Sequence, residues 1–296
     1  MICPVRKFAL TLVAALAVAS CSEQPTEPQV KADPPFYEIA SPNGEIEGWM
    51  LGTVHALPDD TRWRTQAIAD VVGRADYLIV EIADLEDRAG VSAIFTRLAA
   101  SPGHPEIADR IDPEYAPELS SLLTMTQFAG YDFSNTETWA AALMLARAAA
   151  QSDPGNGVDR AILADFAGRD VREFEGALAQ LSIFDTLPEQ DQLDLLDGVL
   201  AEVRTLRQRP DRLRDAWLAG DEDELAQITR SGLMADPELY NALLLHRNER
   251  WVQQLAKELQ GQRRPLVAVG TGHLVGPDSL GAMLETRGYT VRRIGR

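Results

Sequence analysis

Two four-residue stretches constrain the fold of this chain more than any other feature of its sequence. Both have the pattern Gly-Thr-x-His and both follow an apolar segment: GTVH at residues 52–55 and GTGH at residues 270–273. Glycine lets the backbone turn or approach a ligand closely, and ligands of open α/β sheets bind where strands end. We therefore expect both histidines at one site, which requires strands 46–52 and 265–270 to lie close together in one sheet.

Apolar periodicity predicts an α/β fold with a central mixed sheet built from N- and C-terminal strands and with large helical insertions. An Asn-Gly turn within residues 41–45 indicates that its flanks form a strand pair. Residues 86–166 and 177–260 are predicted to be mostly helical, with breaks in the second span near 187–190, 219–221 and 235–237. The predicted strands are 36–40, 48–54, 76–83, 169–175, 265–273 and 289–294, and the clearest helices are 59–75, 137–151 and 277–288.

The first twenty residues differ in character from the rest. Arg6 and Lys7 precede an apolar run at residues 8–19, and this run is shorter than the roughly 20 residues that a helix needs to cross a bilayer. We interpret residues 1–20 as an export signal. Its end, VASC, resembles a bacterial lipobox, in which Cys21 is lipidated and becomes the first mature residue. An ordinary secretory signal with a chance cysteine is the alternative.

This signal predicts the location and the domain boundaries. Ser22, in place of an aspartate, resembles the version of the motif that is sent to the outer membrane, so we expect a lipid-anchored protein of the cell envelope, facing the periplasm. Residues 21–35 are polar and proline-rich, which is typical of a flexible tether. The folded domain is predicted to span residues 36–296.

Charge and cysteine content limit the chemistry. The net charge is -17, with acidic residues spread along the chain, which makes a poor surface for nucleic acid, and we expect no such partner. The only two cysteines are Cys3 and Cys21, so the mature domain has neither a disulfide nor a thiolate nucleophile or ligand. A metal ion would have to be held by nitrogen and oxygen atoms.

Glu81 is the candidate for a third ligand beside His55 and His273. It ends an otherwise apolar strand, where a carboxylate is costly to bury unless a metal or a cation pairs with it. Two histidines and a glutamate with an open position can bind a divalent ion and activate water. Mn, Co or Zn would suit these ligands. The open alternatives are that the histidines cap strand ends and that Glu81 pairs with an arginine at the sheet edge.

The sequence resembles the TraB/GumN family, which is related to the animal TIKI ectoproteases and more distantly to erythromycin-esterase and ChaN-like proteins. The resemblance covers nearly the whole mature chain and implies a metal site that maps onto His55, His273 and Glu81. The matching pieces are LGTVH, LIVEI, GVDRAILADFAGRDVREFEG, LSIFDTLPEQDQ, HRNERW and VAVGTGHLVGPDSLGAMLETRGYTV.

The resemblance also draws attention to Glu175, Asp159, Arg247 and Asn248. Asp159 could instead be a helix cap, and Glu175 could be a structural carboxylate. Arg247 could bind a substrate carboxylate or phosphate, or could hold Glu175 or Glu81. We interpret His104 and His246 as surface or packing residues. The tryptophans are interpreted as core residues; they are Trp49, Trp63, Trp139, Trp217 and Trp251.

The sequence argues against two other functions and leaves a third open. A dinucleotide-binding fold would need an acidic residue about 20 positions after the glycine-rich turn at 270–276, at the end of the next strand. The chain instead ends there in TVRRIGR, with no room for the rest of a nucleotide domain. A serine hydrolase lacks a G-x-S-x-G elbow. A non-catalytic haem- or metal-binding envelope lipoprotein, as ChaN-like proteins are described, is the main alternative. We expect a metal-dependent hydrolase of peptides or another small substrate, in which Glu81 or Glu175 is the general base and residues 86–150 form a wall of the site. The oligomeric state is not predicted.

Overall fold

A computed structural model describes residues 32–150 and 154–295. The predicted signal and residues 21–31 of the predicted tether lie outside the described residues. Residues 32–35 are described, and Pro34 and Pro35 are already buried. The six strands are β1 (Phe36–Ala40), β2 (Ile46–Thr53), β3 (Tyr77–Val80), β4 (Val171–Glu173), β5 (Pro265–Gly270) and β6 (Thr290–Arg293).

Helices form most of the remaining described chain, with short 3-10 turns between them. The α-helices are α1 (Gln66–Arg74), α2 (Arg88–Ala99), α3 (Ala116–Met125), α4 (Thr138–Ala149), α5 (Val158–Asp165), α6 (Ala177–Asp185), α7 (Glu189–Gln208), α8 (Arg212–Ala219), α9 (Glu222–Thr229), α10 (Pro237–Tyr240), α11 (His246–Glu258) and α12 (Leu280–Glu285). A π-helical turn, Asn241–Leu245, joins α10 to α11. Across residues 32–150 and 154–295, no helix combines the length and the apolar character that crossing a bilayer requires.

The strands form one mixed sheet in the order β4-β3-β5-β2-β1-β6. Strands β4, β3, β5 and β2 run parallel to one another, and β1 is antiparallel to both β2 and β6. The predicted fold class is confirmed, and so is the adjacency of the two motif strands, because Thr53 pairs with Gly270 in the parallel ladder of β2 and β5. Four parallel strands therefore end at the same edge of the sheet.

Two apolar layers cover the two faces of this sheet, as alternating side chains along each strand require. In β3, Leu78 and Val80 belong to one layer, whereas Tyr77 and Ile79 belong to the other. A third core, built by α2, α3, α4, α7 and α10, contains no strand residue. All five tryptophans are at most 8% exposed, which confirms their predicted place in the core.

The predicted helix at 59–75 is wrong in its first part, since α1 begins only at Gln66. Asp60 has a φ of 62°, which a helix does not accommodate. Thr65 caps the helix instead by accepting a hydrogen bond from the N–H of Ile68. The predicted breaks at 187–190, 219–221 and 235–237 are confirmed, whereas the break around Pro210 between α7 and α8 was missed.

Candidate functional site

Each of the four parallel strands is followed closely by one candidate residue. His55 follows β2, Glu81 follows β3, Glu175 follows β4 and His273 follows β5. Since the carboxyl ends of parallel strands share one edge of a sheet, the topology brings these residues to one place. A cavity of about 360 Å³ lies at this edge, and its lining includes His55, Glu81, His273 and Arg247.

His273 is buried, and its hydrogen bonds determine its tautomer. Its Nδ1 lies 2.6 Å from Oδ1 of Asn248. The amide nitrogen of Asn248 donates to the carbonyl oxygens of Asp278, at 2.7 Å, and of His273, at 3.4 Å. The oxygen of the Asn248 side chain must therefore face the imidazole, so Nδ1 of His273 carries the proton and Nε2 keeps its lone pair.

The surroundings of His273 favour its neutral form. Its ring packs against that of Trp251, with a centroid separation of 4.4 Å. Burial lowers the pKa of His273 to about 3, and the positive charges of Arg247 and His55 add to this effect, whereas Glu81 opposes it. A neutral imidazole with a lone pair on Nε2 is the form that binds a metal ion.

His55 is anchored through the same ring atom, but its side chain is 79% exposed. Its Nδ1 lies 3.0 Å from Oδ2 of Asp159, and Oδ1 of Asp159 accepts a hydrogen bond from the hydroxyl of Thr53. The hydrogen bond and the charge of Asp159 raise the pKa of His55 above its ordinary value. Asp159 lies in the first turn of α5, whose N-cap is Gly157, so its side chain holds His55 and does not cap the helix.

Glu81 is mostly buried and fully engaged. Its Oε1 accepts from the N–H of Gly270 at 2.8 Å, and its Oε2 accepts from Arg247 at 2.7 Å and from Gln180 at 3.3 Å. Burial raises the pKa of Glu81, but the positive charges of His273, once it is protonated at low pH, of Arg247 and of His55, together with the bond from Gly270, outweigh burial and lower the pKa to about 2. Glu81 is therefore a carboxylate at neutral pH.

Arg247 connects the two glutamates. Its side chain is 8% exposed; its Nη2 lies 2.7 Å from Glu81 and 2.9 Å from Glu175. Its Nη1 donates to the carbonyl of Leu243 at 3.1 Å and lies 3.3 Å from Nε2 of His273. Arg250 adds a second ion pair to Glu175. Of the roles considered for Arg247, the structure thus shows the one in which it holds both carboxylates.

Glycines in the motifs make room for close contacts rather than for turns, since neither Gly52 nor Gly270 has a positive φ. A Cβ on Gly270 would lie 3.2 Å from Oε1 of Glu81, and one on Gly52 would lie 2.9 Å from the hydroxyl oxygen of Thr271. That hydroxyl donates to the carbonyl of Thr53, which ties the two motifs together. The repeated Gly-Thr pair is therefore part of the packing between β2 and β5.

The nitrogen and oxygen atoms of these side chains suit a divalent ion, but in the structure they are not arranged to coordinate one. Within the described residues, no group of three or more His, Cys, Asp or Glu side chains is arranged to hold a metal. Arg247 contacts both Glu81 and Nε2 of His273, which are two of the expected ligand atoms. Binding of an ion to these atoms requires the guanidinium group to move away from them, and Glu175 could retain it through the bonds that it already makes.

The sequence does not predict some of the contacts at the site. Gln180 is not part of any recognisable motif, and its hydrogen bond with Glu81 depends on how α6 packs. The π-helical turn before Arg247 also has no clear sequence signal. His104 and His246 lie outside the lining of the cavity, and His246 is exposed.

A model of the TraB/PrgY/gumN family matches residues 35–293 of the chain. No curated protein and no solved structure gives a significant match.

Proposed function

The chain belongs to the TraB/PrgY/gumN family, and on this basis we propose that it is a metal-dependent hydrolase that acts on peptides. The ligands in this proposal are His55, His273 and Glu81. A divalent ion bound to them would act as a Lewis acid on the scissile carbonyl and on water. Mn, Co and Zn are the candidate ions, since imidazole and carboxylate ligands accept all three.

One observation carries the proposal: both motif histidines use Nδ1 for a protein acceptor and line the same cavity. Asp159 fixes His55, and Asn248 fixes His273. Histidine ligands of metals usually donate their other ring N–H to a carboxylate or carbonyl oxygen, which fixes the tautomer and the orientation of the ring. Pairs that only capped strand ends would not need this arrangement at both motifs.

The remaining polar side chains have distinct proposed roles. Glu81, with its pKa lowered to about 2, suits a ligand better than a general base, because proton transfer is efficient when the pKa lies near the working pH. Glu175 positions Arg247 through their ion pair. We assign to Glu175 the role of general base only when Arg247 moves, since in the described arrangement two arginines hold its carboxylate.

The test uses protein purified without chelators. Metal analysis should give about one divalent ion per chain, and hydrolysis of a mixed peptide library should stop with a chelator and return with added metal. Stoichiometric haem or metal without any peptide product would instead support the non-catalytic binding protein. Peptide hydrolysis that survives complete removal of metal would contradict the proposal.

The proposal includes the location expected from the sequence. The protein would be anchored through lipidated Cys21 to the outer membrane and would face the periplasm. This rests on the short apolar run and the VASC sequence before the domain.

A further inference from the structure

A second cavity, of about 590 Å³, lies beside the first and has mainly apolar walls. Helix α2 contributes Val91 and Phe95, which lie on one helical face together with Arg88 because the spacing is three to four residues. Helix α4 contributes Leu143 and Met144. Such a space suits a large apolar group of a ligand.

The two cavities adjoin each other. Leu143 lines both. Two helices also supply neighbouring residues to the two sites. In α6, Gln180 bonds Glu81, while the next residue, Leu181, lines the second cavity. In α5, Asp159 holds His55, while Arg160 lines the second cavity. A ligand in the second cavity would therefore lie next to the site of the two histidines.

Three arginines line this apolar space: Arg88, Arg147 and Arg160. Arg160 is paired with Glu86. Arg88 and Arg147 are exposed, and neither has an ion pair or a side-chain hydrogen bond within residues 32–150 and 154–295. In a chain with a net charge of -17, these two exposed guanidinium groups give the edge of an apolar cavity a local positive charge, which favours a carboxylate.

We propose that this second cavity is a substrate subsite that takes a large apolar side chain of a peptide, with a neighbouring carboxylate of that peptide bound by Arg88 and Arg147. The inference rests on the proposed function for the identity of the ligand as a substrate. The expected substrate is then a peptide with an acidic residue next to a large apolar one. The binding itself involves none of the expected metal ligands.

Calorimetric titration with short capped peptides tests the subsite. The probes are acetyl-Ala-Phe-Asp-Ala-amide, its neutral Asn analogue and its Phe-to-Ala analogue. The protein is the full chain as purified, and chromatography checks that each peptide stays intact during the titration. We expect the Asp peptide to bind about tenfold more tightly than either analogue, as a charge-assisted pair and a buried ring predict.

The variant R88Q/R147Q should remove the preference for the Asp peptide over the Asn peptide. The matched control is R88Q/R97Q, because Arg97 is also exposed and on α2 but does not line the cavity. This control has the same net charge as R88Q/R147Q and, because it retains Arg147, should keep part of the preference for the Asp peptide. Equal binding of the three peptides, or an equal loss in both double variants, would overturn the inference. Binding of dodecanoate without binding of any peptide would overturn it as well, in favour of a lipid acid.

Failure of the subsite and failure of the hydrolase give different experimental results. A protein that holds no metal when purified without chelators and hydrolyses no peptide, but keeps the Asp preference, would contradict only the hydrolase. A protein that binds metal and hydrolyses peptides without any Asp preference would contradict only the subsite.

Discussion

In each motif histidine, a single hydrogen bond at Nδ1 determines that Nε2 is the ring nitrogen that could bind a metal ion. For His273 the decision passes through Asn248, whose amide nitrogen is committed to the carbonyl of Asp278 and whose oxygen therefore accepts from Nδ1. At Glu81, by contrast, one carboxylate accepts hydrogen bonds from three donors, which are the N–H of Gly270 and the side chains of Arg247 and Gln180. Substitutions that remove one of these hydrogen bonds should therefore change the metal affinity without unfolding the chain.

Replacement of Asn248 tests the tautomer of His273. The change Asn248→Leu removes the acceptor of the Nδ1–H, and metal affinity should fall about 10- to 100-fold, as is typical when the partner of a ligand is lost. Asn248→Asp is the matched control, because it keeps an acceptor oxygen, and it should lose less affinity. Affinity is measured by competition with a chelating dye, and circular dichroism checks the fold. Unchanged affinity in Asn248→Leu would show that this bond does not position the imidazole.

Among the elements, the four parallel strands form the framework of the site and α5 supports its exposed edge. The N–H of Val158 donates to the carbonyl of Val54 at 2.9 Å, which docks the start of α5 on the end of β2. Gly157, just before this helix, lies so close to His55 that an added Cβ would be 2.4 Å from the carbonyl oxygen of that residue. The helix can hold His55 through Asp159 only because residue 157 has no side chain.

The change Gly157→Ala should therefore push α5 away from β2. We expect a loss of about 1–3 kcal/mol in the free energy of unfolding, which is the usual range for overpacking, and a weaker bond between Asp159 and His55. The control is Gly73→Ala in α1, where a Cβ meets nothing within 4 Å and the stability should rise by about 0.5–1 kcal/mol. Urea unfolding measures both variants. Equal stability of Gly157→Ala and the wild type would contradict the close docking.

The predictability of these elements differs for physical reasons. The apolar pattern predicts β1 to the residue and β2 with a start that is too late, at residue 48 instead of Ile46. Both strands are predictable because burial on both faces leaves a clear pattern. The start of α1 was not, because the left-handed backbone of Asp60 is a local exception. At the site, the motifs predicted that His55 and His273 share an edge. An ion pair of Arg247 with Glu81 or Glu175 is among the sequence-based expectations. The contact of Arg247 with Nε2 of His273 is not, since it depends on the π-helical turn and on side-chain packing.

For the molecule as a whole, the buried site couples stability to pH. The pKa of His273 is about 3 in the folded state and about 6.5 in an unfolded chain. Between these values the unfolded state binds a proton that the folded state does not, so stability falls as the pH drops below 6.5. His55 acts in the opposite direction: its pKa is raised, so its contribution is present below 6.5 and is lost at more alkaline pH.

Urea unfolding of chelator-treated protein at pH 6.5 and pH 5.5 measures this coupling. The wild type should lose up to about 1.4 kcal/mol over this interval through His273, the value of one proton per pH unit. The variant His273→Gln should lose correspondingly less. The pKa of Glu81, lowered to about 2, adds its own loss only at still lower pH. Identical losses in the two proteins would show that His273 is not held neutral by burial.

The location of the whole molecule depends on Cys21. The change Cys21→Ser removes the thiol that a lipid would modify, so the protein should leave the membrane fraction and appear in the soluble periplasmic fraction. Fractionation followed by a high-salt wash measures this, and Cys3→Ser is the matched control, because it lies within the predicted signal and should leave the anchoring unchanged. A Cys21→Ser protein that stays with the membrane after the wash would contradict lipid anchoring.

If His55 and His273 are ligands of one ion, replacing either histidine should change the metal stoichiometry, and the melting temperature shows whether the fold is retained. The proteins compared are the wild type, His55→Ala, His273→Ala and the double variant. Either single change should abolish stoichiometric metal binding and activity, and the double variant should be hardly worse, since residues that act as a unit are not additive. Full metal content in both single variants, with melting temperatures that fall in additive steps, would show that the histidines are not ligands and that the two Gly-Thr-x-His stretches are only structural ends of β2 and β5.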